Sequence, residues 1–160
     1  MHDHANEVGD GPVTRLRDER GQGLVEFSLT IIVFLVILMG VVDFGMAIYK
    51  FNGVSQAARE IARVTSVHPC ATPGALSCDP GTSRSAETQE VIDIQKGLIP
   101  GLQEPDFTCI DQTGADKVGA CDFSQDSVRV EIEAPYQPIT PLLGLTGQWD
   151  MKGSSSAQIQ

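Results

Sequence analysis

The chain has 160 residues, 41% of them hydrophobic, and a formal net charge of −10. That balance excludes nucleic acid as a partner, because phosphate backbones are held by basic surfaces. The length accommodates one small domain and one further segment, and the apolar residues are concentrated in the first half.

Residues 1–19 mix glycine, proline and charge without apolar periodicity, and such a segment cannot offset the entropy of folding, so a disordered tail is expected. His2 and His4, flanking Asp3, fall within it and are expected to be solvated. From Leu24 to Ile48 there follow 25 residues without a basic group. As a helix they span ~37 Å, somewhat more than a hydrocarbon core of ~30 Å, which predicts one transmembrane helix. A secretory signal peptide is the competing reading, but its apolar stretch runs to only about 7–15 residues and ends in a small-residue cleavage site, which is not found after Ile48.

The helical spacing continues past the apolar run. Ala47, Phe51, Val54, Ala58, Ile61 and Thr65 recur at steps of four and three, the stripe of an amphipathic helix. One helix is therefore predicted over Gln22–Val67, stopped by Pro69 acting on His68. Gly40, Gly45 and Gly53 are points of local weakness or of close helix contact.

Beyond the helix come all four cysteines, Cys70, Cys78, Cys109 and Cys121, in two sequence-local pairs, the first of which spans a turn at Thr72-Pro73-Gly74. An even count after a membrane segment predicts disulfides outside the cytoplasm, with three pairings open. Zinc is the weaker reading, since the spacings exceed those of paired ligands and only His68 is near. The basic residues nearly tie across the span, Arg15, Arg17 and Arg20 against Lys50, Arg59 and Arg63. Oxidised cysteines break the tie, leaving the N-terminus cytoplasmic and the rest exported.

A second helix is predicted after Ser83 or Ser85 as cap, with Glu87 and Glu90 at its positive end, Val91, Ile94 and Leu98 on one face, Gly97 at its close and a Pro100-Gly101 turn behind it. The remainder reads as strands. Phe107–Ile110 is short, and Val128, Val130 and Ile132 alternate with Arg129, Glu131 and Glu133 in the clearest one, which Pro135 is expected to end. Pro138 and Pro141 punctuate a loop around Leu142 and Leu143, before weaker strands at Gln148–Met151 and Ser156–Ile159. The fold class is α+β: a long N-terminal helix, half in the membrane and half amphipathic, packed on a small antiparallel sheet of three or four strands with a second short helix. The domain plan is a leader over 1–21, the long helix over 22–67 and an exported domain over 68–160. From His68 onward thirteen acidic residues face five basic ones, which describes a solvated surface.

Catalytic signatures are missing: there is no Gly-x-Ser-x-Gly elbow, His-Glu-x-x-His pair or phosphate loop, so neither an enzyme nor a cofactor nor a metal is expected. Asp111, Asp116, Asp122 and Asp126 offer oxygen ligands without the pattern of a calcium loop. What needs a chemical explanation is Glu26, a carboxylate about two residues inside the apolar run, where a charge is costly and functional by default. A cut between Gly21 and Gln22 would place a new α-amino group one helical turn away, or against a neighbouring copy's Glu26, and the opposite charges would pair in a low-dielectric setting. Asp43, about five residues from the far end of the run, is either a snorkelling group or a contact with another subunit's helix.

Gly21-Gln22-Gly23-Leu24-Val25-Glu26-Phe27 resembles the prepilin-peptidase site of type IV pilins in the form used by the Flp or Tad (tight adherence) pilus: a glycine before the cut, a glutamate five residues after it, then an aromatic. Phe27 stands where that site often has tyrosine. Over residues 20–67, including Asp43-Phe44-Gly45 and Ala57-Ala58-Arg59, the chain is similar to TadE-like minor pilins or pseudopilins. The resemblance implies cleavage after Gly21 by a membrane prepilin peptidase, then assembly with other pilin-like subunits and Tad membrane proteins, priming or capping the pilus. Glu26 and Phe27 would set register in that assembly. The alternative function is an uncleaved, single-pass anchored binding or adhesion module.

Overall fold

The computed structural model describes residues 15–70, 75, 77–117, 119–123, 125–139 and 147–160. The tail over 1–14, the Thr72-Pro73-Gly74 turn and the loop around Pro141, Leu142 and Leu143 lie outside the described residues.

Helix α1 runs over Arg15–Val67. It stops where Pro69 predicts, but it starts seven residues before Gln22, so Arg15–Glu19, the end of the tail expected to be disordered, is helical. The physical reason is local: Arg15-Leu16-Arg17-Asp18-Glu19-Arg20 consists mostly of straight-chain residues that lose little rotamer freedom in a helix. The chain divides into two compact units, Met1–Val42 and Asp43–Gln160. In the first, the side chains from Gly21 onward are almost all exposed, including Leu24, Val25, Phe27, Leu29, Ile32 and Ile37.

The second unit is an α+β domain. Around the last part of α1 it places β1 (Ser77–Cys78), α2 (Ala86–Leu98), β2 (Asp106–Ile110), β3 (Asp116–Lys117), β4 (Cys121–Asp122), β5 (Ser127–Tyr136) and β6 (Trp149–Gln158). Four strands form an antiparallel sheet in the order β3-β2-β5-β6, and β1 pairs separately with β4. The two weak C-terminal strand candidates are one strand, β6, continuous through Lys152-Gly153-Ser154-Ser155. Its partner explains this: β5 offers ten consecutive residues to pair with, from Ser127↔Gln158 to Tyr136↔Trp149.

Period-two alternation buries one face of β5, with Val128, Val130, Ile132 and Ala134 inaccessible and Arg129, Glu131 and Glu133 directed away. Against that face lie Val54, Ala57, Ala58, Ile61 and Ala62 of α1, all buried. The amphipathic stripe thus begins at Val54, whereas Phe51 is 48% exposed. Gly153 is what lets helix and sheet close up. A Cβ there would stand 2.7 Å from the Val54 carbonyl oxygen and 3.0 Å from the Ser55 nitrogen, so only glycine fits under the helix backbone.

Pro135 does not end β5; it pairs with Asp150 inside it. The Glu133 carbonyl accepts from Gln103 N–H, so odd-numbered backbone groups here point toward β2, which has already ended. A missing donor on that side interrupts no ladder bond. Gly101, at φ 81, makes the predicted turn and packs beneath the Pro135 ring.

Helix α2 is capped by Ser85, whose Oγ accepts from Thr88 N–H at 3.1 Å. Its inward face is Thr88 and Ile92, with Val91 and Ile99 partly buried, while Ile94 and Leu98 are exposed. The stripe expected from Val91, Ile94 and Leu98 is therefore rotated. A polar seam at the cap turns the helix: Thr88 Oγ1 accepts from Ser85 Oγ and donates to His68 O, fastening α2 to the end of α1.

Both disulfides are sequence-local, Cys70–Cys78 and Cys109–Cys121, and no described cysteine is free. Because Cys78 and Cys121 are register partners in the β1–β4 ladder, the two bridges link the exit of α1 to β2 through adjacent strands. The core is small, and cross-links that restrict the unfolded chain stabilise such a domain by about 2–4 kcal/mol each.

Candidate assembly site

The N-terminal stretch from Gly21 to Phe27 is one run of exposed helix. Gln22 and Glu26 are four residues apart, so they share a helix face. Ser28 and Thr30 turn their hydroxyls back onto the Leu24 and Glu26 carbonyls at 2.7 and 2.9 Å, which leaves no unpaired hydroxyl for lipid to meet. Glu26 has no such intrahelical cover for its carboxylate: the side chain is exposed, on a surface otherwise made of Leu24, Val25, Phe27 and Leu29.

Asp43 belongs to the second unit and is used within it. Its carbonyl oxygen accepts from Tyr136 Oη at 2.7 Å, and its Oδ1 accepts from the Ile139 N–H at 3.1 Å. Burial, and secondarily the Asp43 charge, pushes the Tyr136 phenol above its usual range. One residue back along β5, Lys50 Nζ donates to the Pro135 carbonyl, which lies beyond the part of β5 paired with β2. Sequence reasoning missed these fastenings. The only signal for them was the pairing of acids and bases on α1 with an apolar, proline-punctuated strand end far along the chain.

A groove of about 930 Å³ opens beside this seam, lined by Met46, Tyr49, Gly53, Leu98, Ile99 and Gln137 among others. Among the described residues no group of three His, Cys, Asp or Glu side chains is arranged to hold a metal ion.

The aspartates proposed as oxygen ligands have other work. Asp111 Oδ1 accepts from Thr113 Oγ1, Thr113 N–H and Ala115 N–H, a closed turn in which the Thr113 hydroxyl above all holds the carboxyl below its usual range. Asp116 pairs with Arg129 at 2.7 Å. Asp126 is buried, and its Oδ2 accepts from Asp122 N–H and Lys117 Nζ, both at 2.7 Å. The Asp122 amide, then Lys117, holds the Asp126 carboxyl low, and Asp126 in turn holds the Lys117 ammonium up.

Among the described residues one helix, Gly21–Val67, is long and apolar enough to cross a membrane, with a mean hydropathy of 2.7 in its apolar window, and its last part packs in the core of a small α+β domain. Residues 21–63, about a quarter of the chain, match the family described as TadE-like protein, so this segment is similar to that family. No curated protein and no solved structure matches the chain. The family match takes in Gly21, Gln22, Glu26, Phe27 and Asp43, and ends before all four cysteines.

Proposed function

We propose that the chain is a minor pilin or pseudopilin, cut between Gly21 and Gln22 by a prepilin peptidase and taken up by Tad membrane assembly proteins to prime or cap a pilus. The observation that carries this reading is the glycine-to-aromatic site, with Glu26 four residues from Gln22 on one exposed helix face inside the family match. On this account the amino terminus is cytoplasmic, the domain over 68–160 is extracytoplasmic, and the disulfides form after export.

In assembly the apolar helix exchanges lipid for the helices of other subunits. That exchange is nearly neutral for leucine and isoleucine, so apolar contact alone does not set an axial position. A buried polar group does, because every register except one leaves it unpaired. Glu26 and the amine of Gln22 supply such a pair, within one subunit or between neighbours, and Phe27 packs beside it. Asp43, at the other end of the apolar run, keeps a role in subunit contacts through the hairpin it fastens.

The test separates processing from assembly. Glu26→Ala should insert and be cut largely as the parent does, while pilus assembly falls by at least about tenfold, corresponding to the loss of one low-dielectric ion pair. Normal piliation in that variant would remove the role given to the carboxylate.

A further inference from the structure

The end of the β5–β6 hairpin where β5 finishes and β6 begins is fastened to α1 inside the helix's apolar stretch. Tyr136 and Ile139 bond to Asp43, and beyond Asp43 the helix still exposes Phe44, Met46, Ile48 and Tyr49. Six residues of helix are about 9 Å, so the hairpin end reaches below the upper limit of the exposed apolar surface by that amount.

This end is itself apolar and aromatic. Ile139 is 63% exposed, Tyr49 is 82% exposed, and Trp149, the register partner of Tyr136, is 44% exposed. Tyrosine and tryptophan have apolar bodies with one polar tip, the combination enriched at membrane–water boundaries. Charges limit the depth. Asp150 is exposed one residue further along β6, opposite Pro135, and Lys152 pairs with Glu133 beyond it. A rim of aromatics below a line of charges fits the headgroup boundary and not the hydrocarbon centre.

We propose that this end of the domain, with Tyr49, Tyr136, Ile139 and Trp149, sits in the headgroup boundary of the leaflet on the domain's side. The domain is then seated on the bilayer, with Asp43 as its fixing point, instead of being held clear of the surface by the helix. The occupant is lipid because the rim adjoins the exposed apolar residues Phe44, Met46, Ile48 and Tyr49 of α1, which lie in its apolar run or at its end. The seat also gives an acid in the apolar run a hydrogen-bond donor, Ile139 N–H, where water is scarce. This inference rests on the membrane anchoring of α1.

Trp149 is the only tryptophan in the chain, so its fluorescence reports on this rim alone. The full-length protein is reconstituted into phosphatidylcholine–phosphatidylglycerol vesicles carrying a nitroxide either high on the acyl chain or near its terminal methyl, and aqueous iodide is titrated separately. Trp149 should be quenched about twofold more by the shallow nitroxide than by the deep one, as a boundary tryptophan is. Ile139→Asp, at an exposed position, should cut the shallow quenching by about half, since a charge is expelled from that depth. A companion protein with Trp149→Phe and Leu35→Trp reports on the span and should be quenched best by the deep nitroxide. If that companion behaves so while Trp149 answers to iodide alone, the seat is refuted and the anchor stands. Trp149 shielded from both quenchers would mean that protein covers the rim, which also overturns the proposal. A companion open to iodide would remove the anchor and the seat together.

Discussion

Gly153→Ala isolates the contact that sets the helix against the sheet. The new Cβ would lie 2.7 Å from the Val54 carbonyl oxygen and 2.9 Å from its carbon, where ordinary contact begins at 3.4 Å. The obstacle is helix backbone with no flexible end to swing aside, so the α1 segment must withdraw by roughly 0.7 Å. A gap of about 0.5–1 Å forfeits a quarter to a half of the dispersion energy of each contact across it. Spread over Val54, Ala57, Ala58 and Ile61, that loss is of the order seen for overpacked cores, about 1–3 kcal/mol, against a gain of about 0.4–1 kcal/mol from a stiffer unfolded chain. The expected net loss is about 2 kcal/mol, read as a lower guanidinium midpoint with unchanged slope in full-length protein held in detergent, disulfides intact, followed by Trp149 fluorescence. Gly97→Ala is the control, because it lies in α2 with nothing within 4 Å of the added carbon. It should be neutral or stabilising by up to about 1 kcal/mol. Equal stability of the two variants would refute the packing argument.

The Asp126 carboxyl titrates below its usual range in the folded state, so the native domain binds fewer protons there than the unfolded chain. Its contribution is present above the ordinary carboxylate pKa of about 4 and lost as pH falls through the lowered folded value. Asp126→Asn should therefore lower stability at neutral pH by about 1–3 kcal/mol and flatten the acid limb, checked by unfolding midpoints across pH 2 to 7; an unchanged acid limb would place the destabilising protonation elsewhere. For the cross-links, thiol labelling of membrane-extracted protein should find no free cysteine before reduction and four after it. Peptide mapping should recover Cys70 with Cys78 and Cys109 with Cys121, and any crossed pair would contradict the β1–β4 register.

How far residues alone predict this fold varies with the range of the forces. The stop of α1 at Val67, the Ser85 cap and the burial of Val128, Val130 and Ile132 follow from effects within a few residues, and each was readable. The rotated face of α2 was not, because Thr88 is drawn inward by bonds to His68 and Ser85 that no hydropathy pattern contains. Pro135 inside β5 is tolerated only because β2 stops short of it, a fact of sheet order. Continuity of β6 through Gly153 and the serines depends likewise on β5 as template and on the helix pressing from above. For the site, Glu26 stood out because an acid in an apolar run violates a local expectation, and so did Asp43. The bonds from Tyr136 and Ile139 to Asp43 span more than ninety residues, a separation that leaves no mark in spacing.

The central claim concerns where the mature chain begins. Amino-terminal sequencing of membrane-extracted protein, from cells that carry the prepilin peptidase and assemble the pilus, tests it most directly. The account predicts Gln22 as the first residue, followed by Gly23-Leu24-Val25-Glu26. Protein that keeps the residues before Gly21 under those conditions would contradict it and leave an uncleaved anchored module in its place.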